Sequence, residues 1–298
     1  MLQVSNKLDE LFTKSPITNV YGVSRSVLAM GTFLTLIFNS TQTLFPKSEE
    51  LTRVAVSPVV QLSLFEVFEN QLSLAKFTAL LILFLVIIGF YPRYTGILHW
   101  YVTFSFFASC SVIDGGDHVA SVFSLLLIPI TIVDSRKWHW QMISNKKEAS
   151  KLFYVVGWFS IFSIRIQASV LYLHAGVAKL KVNEWVNGTA TYYWFTHHYH
   201  GAANWLKPLI ISITSTQLVV FITWSVIIFE ILLFAAIFLD PQSYRRKYLL
   251  LMGILFHFAI AIIHGLISFF FSMSAVLLLY LLDHSKNIAF IKFKSTKP

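Results

Sequence analysis

Y-L-H-A-G-V-A-K-L-K-V-N-E-W-V-N-G-T-A-T-Y-Y-W, residues 172–194, closes an apolar run that begins at Leu152. A bilayer core about 30 Å thick takes roughly 20 apolar residues of helix to cross. The run from Leu152 to Ala178 has that length, and it ends in a crowd of His174, Lys179, Lys181, Glu184 and Trp185 before Gly188. This is the pattern of a membrane helix leaving the hydrocarbon with ionisable groups gathered at its end.

Similar apolar runs recur along all 298 residues. The chain is 56% hydrophobic and only 12% charged, with a mean hydropathy of +0.68. A soluble domain carries about 25% charged residues, so this composition cannot cover a water-facing surface. The alternating strand pattern of an outer-membrane barrel is absent. The expected fold is therefore all-α: a polytopic membrane protein of about eight transmembrane helices in one bundle and one domain, residues 1–298. The spans are placed at Gly22–Phe45, Lys76–Tyr91, Gly96–Ile113, Val119–Val133, Leu152–Ala178, Gln217–Leu239, Leu249–His264 and Leu266–Leu282.

The net charge of +9 does not signal nucleic acid, because the basic residues sit in short loops between apolar runs. There they set topology and meet anionic membrane lipid. Lys7 and Lys14, the turn at Arg93, the loop with Arg136, Lys137, Lys146, Lys147 and Lys151, the group Arg245-Arg246-Lys247, and the tail with Lys286, Lys292, Lys294 and Lys297 all fall on one side of an eight-span map. The positive-inside rule makes that side cytoplasmic. Residues 1–20 are then a cytoplasmic N-terminal segment and 283–298 a basic cytoplasmic tail. The loop between the first two spans, with Glu49 and Glu50, falls outside, as do residues 114–118 and 179–216. Trp138 and Trp140, flanking His139, fit an interfacial aromatic belt. The first run lacks a small-residue cleavage site and reads as a retained span. The single cysteine, Cys110, forms no intrachain disulfide and no metal-type Cys pair.

Several polar groups need a reason. Arg165 and Glu230 lie near the middles of their spans, where a charge costs about 2.5–3.5 kcal/mol on insertion scales and seeks a partner in the bundle. They read as a mutual ion pair that fixes packing, or as a proton path or substrate anchor. His257 reads as hydrogen-bonded packing or as a ligand. D-G-G-D-H (114–118) is a tight turn, since Gly and Asp suit reversing backbone, or a means for Asp114 and Asp117 to orient His118 for proton transfer. His197, His198 and His200 lack zinc-site spacing and any Cys partner, so they read as a wet interfacial loop and no metal is expected. Lys179 either snorkels its ammonium to the headgroups or, desolvated by Val177, Leu180 and nearby aromatics, sheds its proton and acts as a base.

H-A-G-V-A-K-L (174–180) and W-V-N-G (185–188) resemble the A-G-V-K-K-L and D-W-V-E-G segments of vitamin K-dependent gamma-glutamyl carboxylase, and so the horizontally transferred transmembrane (HTTM) domain family. The resemblance places Lys179 on the carboxylase's base lysine, with Ala178 in place of the lysine beside it. It places His118 near a polar active-site histidine and aligns Glu230 and His257 with later helices. It implies a reduced quinone as cofactor. The large lumenal domain of the carboxylases has no counterpart in this sequence, so substrate docking is expected from outer loops or a partner.

A closer resemblance, over nearly the whole chain, is to the sporulation-delaying protein B (SdpB) family. It is carried by residues 19–39, R-Y-T-G-I-L-H-W (93–100), D-G-G-D-H (114–118) and D-S-R-K-W-H-W (134–140), in that order. The resemblance implies a bacterial cytoplasmic-membrane protein that works with a small soluble SdpA-like partner to mature an exported toxin precursor peptide. Two readings stay open: a carboxylase-like modifying enzyme with Lys179 as base and His118 as its orienter, or a non-enzymatic chaperone or export subunit that presents the precursor to a protease. Asp114, Asp117, His174, Trp185, Arg165, Glu230 and His257 are the remaining candidate binding or structural polar residues.

Overall fold

Residues 14–46, 58–141 and 151–288 of the computed structural model are described here; Lys7, Glu49, Glu50, Lys146, Lys147, Lys292, Lys294 and Lys297 lie outside them. Eight long helices occupy the expected span positions: α1 (Asn19–Phe38), α2 (Leu72–Ile87), α3 (Pro92–Ser109), α4 (Gly115–Val133), α5 (Lys151–Lys179), α6 (Leu218–Ala235), α7 (Tyr244–His264) and α8 (Ile267–Leu281). Helices at six of these positions, all but α3 and α8, are long and apolar enough to cross a membrane. Their outer faces carry exposed apolar side chains such as Phe77, Phe159, Ile166, Phe221 and Leu251, the surface a lipid-facing bundle presents.

The bundle is built around its last helix. α8 packs against α1, α4, α5 and α7, and almost every residue from Ser272 to Leu281 is buried. That explains its 15-residue length: a helix surrounded by protein need not match the hydrocarbon thickness. A second apolar cluster joins α1, α2 and α3 through Leu36, Leu83 and Phe106, with Phe45 and Phe65 stacked at its end.

Helix ends depart from the expected boundaries for local reasons. α1 stops at Phe38 because Asn39 turns extended and Ser40 caps the next short helix. α2 begins four residues before Lys76, whose ammonium instead donates to the Asn39 carbonyl at 2.7 Å. α3 starts at Pro92, after Tyr91 in the left-handed region at φ 35°. Arg93, His99 and its Tyr, Trp, Thr and Ser residues, not its length, keep it outside the apolar class. α5, at 29 residues, is about 43 Å long and exceeds the hydrocarbon core.

Between Trp138 and Trp140, which are half-buried, His139 is packed into the protein. His139 is fully buried. Its backbone N–H donates to Gly89 O at 2.9 Å, and its Nε2 lies 3.1 Å from Ser26 Oγ. A Cβ at Gly89 would stand 2.3 Å from the ring, so only glycine admits this wedge. Burial, then the positive charges of Arg25 and Arg136, holds the imidazole well below its usual range. Trp140 donates its indole N–H to Ile88 O at 2.8 Å. The loop thus plugs the ends of α1 and α2.

Asp114 caps α4. Its side chain accepts the N–H groups of Gly116 and Asp117, and the Asp117 carboxylate accepts the Asp114 N–H in return. A Cβ at Gly116 would sit 2.5 Å from Phe269 Cα, backbone that cannot step aside, whereas one at Gly115 meets only the Phe269 ring edge at 3.5 Å. Gly116→Ala is therefore expected to force α4 from α8 and cost about 1–3 kcal/mol by overpacking. Gly115→Ala is expected to be mild. Thermal unfolding of the purified variants checks this; equal midpoints would mean the contact does not constrain packing.

Candidate functional site

One cavity of about 1560 Å³ lies between α6 and α7, closed at its inner end by α8 and the start of α4. It exists because α6 packs on α5 while α7 packs on α8. The two helices leave a gap bridged by the Phe229 and Phe256 rings, 5.4 Å apart. The walls are mostly aliphatic and aromatic. Ile228, Leu232 and Leu255 line it and are also exposed, so it opens onto the apolar outer face.

Lys179 is the last residue of α5, and its side chain enters this cavity. Its ammonium donates to both oxygens of Glu230, each at 2.8 Å, and to Ala175 O at 3.2 Å. It also stands 5.2 Å from the centre of the Trp185 ring, within cation–π range. Glu230 is nearly buried, with 9% of its side chain exposed against 21% for Lys179. The pair forms because α5 and α6 run antiparallel. Gly176, three residues before Lys179, lets Ile231 and Glu230 approach the α5 backbone.

The expected Arg165–Glu230 pair does not form. Arg165 instead donates to Leu282 O at 2.8 Å, at the end of α8. The reason is helical pitch: fourteen residues separate Arg165 from Lys179, about 21 Å along α5. Glu230 stands at the level of Lys179 and cannot serve both.

Asp114 and Asp117 line the same cavity from the start of α4. Asp114 also accepts a short hydrogen bond from the Ser268 hydroxyl on α8. His118, expected to orient the lysine, does not. It is exposed, lies outside the cavity lining, and stacks on Phe107 with ring centres 4.8 Å apart. One position along the helix rotates a side chain by about 100°, so Asp117 and His118 face different ways. His174 is exposed and outside the lining too. His257 is buried, with Nδ1 2.7 Å from Gly253 O and its ring against Tyr172, Phe256 and Phe269. It is a packing histidine on the far side of the wall. His197 turns inward on its own loop, its Nδ1 accepting the N–H groups of Tyr199 and His200.

Ser268 and the Phe229–Phe256 pair carry no signal in the sequence, since nothing there separates a wall residue from any other residue of an apolar helix. His200 also lines the cavity, although its neighbours suggested only a wet loop. Tyr172, two turns before Lys179, is buried with its hydroxyl unpartnered among the described residues.

No family model matches the chain, and no solved structure matches it. Over 293 residues it is 34% identical to the sporulation-delaying protein SdpB of Bacillus subtilis strain 168, covering 96% of this chain and 88% of that protein. Over 282 residues it is 39% identical to the uncharacterized protein YitO of the same organism, covering 93% of this chain and 89% of that one.

The observed pairing predicts a specific pattern of rescue. Removing either Lys179 or Glu230 leaves the other charge without a partner inside the bundle. Lys179→Leu and Glu230→Leu should each lower the unfolding midpoint, and the double change should recover part of the loss, with a coupling of about 0.5–3 kcal/mol. Arg165→Leu with Glu230→Leu should be additive. Coupling in the second cycle and none in the first would reverse the assignment.

Proposed function

This chain belongs to the family of the sporulation-delaying protein SdpB, and from that premise we propose that it takes part in producing an exported toxin peptide of the sporulation-delaying type. We place it in the bacterial cytoplasmic membrane as one multi-pass domain spanning residues 1–298. Eight spans with both ends cytoplasmic is the arrangement supported by the eight long helices and by the basic residues of the turns and tail. The cavity and Lys179 then face the outer half of the membrane. The proposed partners are the toxin precursor and a small soluble SdpA-like protein.

The observation that carries the chemical reading is the Lys179–Glu230 pair set in the wall of a large apolar cavity. Moving one proton along the 2.8 Å bond gives a neutral amine and a neutral carboxyl group. In an apolar setting, a paired lysine and acid can therefore expose a free amine without releasing a proton to solvent. We read Lys179 as the base and Glu230 as its proton store, with Trp185 holding the ammonium form. His118 has no role in orienting Lys179 in this reading. The reduced quinone implied by the carboxylase resemblance suits the cavity chemically. Its ring and tail match walls such as Phe229, Phe256 and Ile260, and Lys179 and Glu230 are the groups that would meet a ring hydroxyl. Such a group would supply electrons; the proton exchange between Lys179 and Glu230 does not depend on it.

The rival reading, a chaperone or export subunit without chemistry, is favoured by the size and openness of the same cavity. Lys179→Arg separates the two. Arginine also pairs bidentately with a carboxylate but stays protonated throughout the physiological pH range. If Lys179 is a base, the variant should accumulate to the normal level yet secrete at least tenfold less mature peptide, whereas Lys181→Arg should be mild. Near-normal output from well-expressed Lys179→Arg cells would end the base reading and leave the binding one. Mass spectrometry of the secreted peptide, with and without this protein, identifies any modification lost.

Topology is tested separately. In a Cys110→Ser background, a cysteine at Asn187 should react with an impermeant thiol reagent in intact cells, and one at Gln242 should react only after lysis. Labelling of the Gln242 position in intact cells would overturn the map.

A further inference from the structure

The cavity contains more acid than its one lysine can match. Among its Asp, Glu, Lys and Arg residues there are three carboxyl groups, Asp114, Asp117 and Glu230, and one ammonium, Lys179. Glu230 and Lys179 cancel each other through their ion pair. Two acids remain, in a lining that is mostly apolar but also includes Asn39, His200 and His264, and in a protein whose net charge is +9.

The hydrogen bonds of these two acids divide unequally. Asp114 is committed: Oδ1 accepts the N–H groups of Gly116 and Asp117, and Oδ2 accepts the Ser268 hydroxyl. Asp117 is half committed. Its Oδ2 accepts the Asp114 N–H at 3.0 Å, while its Oδ1 has no partner. The residue is 3% exposed. A buried acceptor left unmade is costly, and more so when it carries charge. Helix capping uses one oxygen of Asp117 and gives no account of the other.

We infer that this cavity binds an apolar peptide segment carrying an ammonium group, and that Asp117 receives that group. The apolar walls take the segment, and the unmatched negative charge selects the cation. A peptide suits the site better than a lipid with a single polar end. Polar groups stand on two separate walls, Lys179 and Glu230 on α5 and α6, Asp114, Asp117 and Ser268 on α4 and α8. A chain with polar groups along its length can meet both. The volume, about 1560 Å³, also exceeds the 300–1,000 Å³ typical of small-ligand pockets. An acidic segment is disfavoured by the same charges. The inference goes beyond toxin maturation and holds whether Lys179 acts as a base or only pairs.

Binding alone tests it. The protein is reconstituted in phosphatidylcholine nanodiscs, where the bilayer surface has no net charge. The probe is a leucine- and alanine-rich dodecapeptide with blocked termini, one central lysine and one bromophenylalanine that quenches Trp185 and Trp194, both of which line the cavity. Saturable quenching by the lysine peptide is expected at a concentration at least tenfold below that of its acetyl-lysine or glutamate versions. Asp117→Asn keeps an oxygen for the Asp114 N–H but removes the charge, and it should erase the discrimination. Equal binding of all three peptides to the wild type overturns the inference, even if Asp117→Asn does not fold. Discrimination that survives in a folded Asp117→Asn protein overturns the role of Asp117. Tighter quenching by 11-bromoundecylamine than by the lysine peptide overturns the peptide assignment in favour of an aminolipid. Because no step reads maturation, loss of the base reading leaves this result standing, and the reverse.

Discussion

A cation inside a membrane bundle seeks a partner within the protein. Four among the described residues, Arg165, Arg246, Lys76 and Arg93, find it at helix ends, whereas Arg136 pairs with Asp134 and Arg25 donates to the Thr95 hydroxyl. The last turn of a helix exposes carbonyls that carry roughly half a negative charge. Arg165 donates to Leu282 O, just past the end of α8. Arg246 donates to Leu239 O and Tyr280 O. Lys76 donates to Asn39 O at the end of α1, and Arg93 to Ile132 O at the end of α4. Each contact joins two helices, so satisfying the charge also fixes how the helices stack. Lys179 differs in adding a carboxylate to its helix-end carbonyl. Unlike those four it has an acid as its main partner, and it is the one placed in the large cavity.

That rule separates what the sequence made legible from what it did not. The eight helices were legible because apolar runs and their polar interruptions are local signals. The crowding of Lys179 and Trp185 at the end of α5, the D-G-G-D turn, and Glu230 as a charge needing a partner were all visible too. The choice of partner was not. Two opposite charges at mid-span invite pairing, yet Arg165 had a backbone partner available that leaves no trace in sequence. Depth along a helix, about 1.5 Å per residue, decides which cation meets Glu230, and this requires knowing how far α6 is shifted against α5. His118 failed for a related reason. Nearness in sequence to Asp114 and Asp117 says little about direction when each residue turns the helix by about 100°. His139 looked interfacial by its tryptophan neighbours, but Gly22 and Gly89 had made room for it between α1 and α2.

D-G-G-D shows how one short motif meets structural and chemical needs at once. Its first aspartate is consumed by capping and by Ser268, and its second glycine lets α4 meet α8 backbone to backbone. These are structural duties, and they would be met with any good acceptor at the third position of the helix. They use only one oxygen of Asp117. Both aspartates line the cavity, and the oxygen left over by capping belongs to Asp117, so the turn places a partly uncommitted acid there at no further cost in backbone geometry.

The cavity itself follows from the pairing of helices. α6 is committed to α5 through Glu230 and Lys179, and α7 to α8 through a face that includes Gly253, where a Cβ would stand 2.7 Å from Leu277. Neither commitment draws α6 toward α7. A gap between two helices that each have a better partner is stable without special strain, and its walls need only be apolar on both faces, as theirs are. Access from the side of the bundle then requires no loop to open and no helix to unfold. A ligand entering that way reaches apolar wall first and charge last, which fits a segment that is itself mostly apolar. Lys179 and Glu230 hold one edge of this gap in place, so the ion pair that defines the site also maintains the space in front of it.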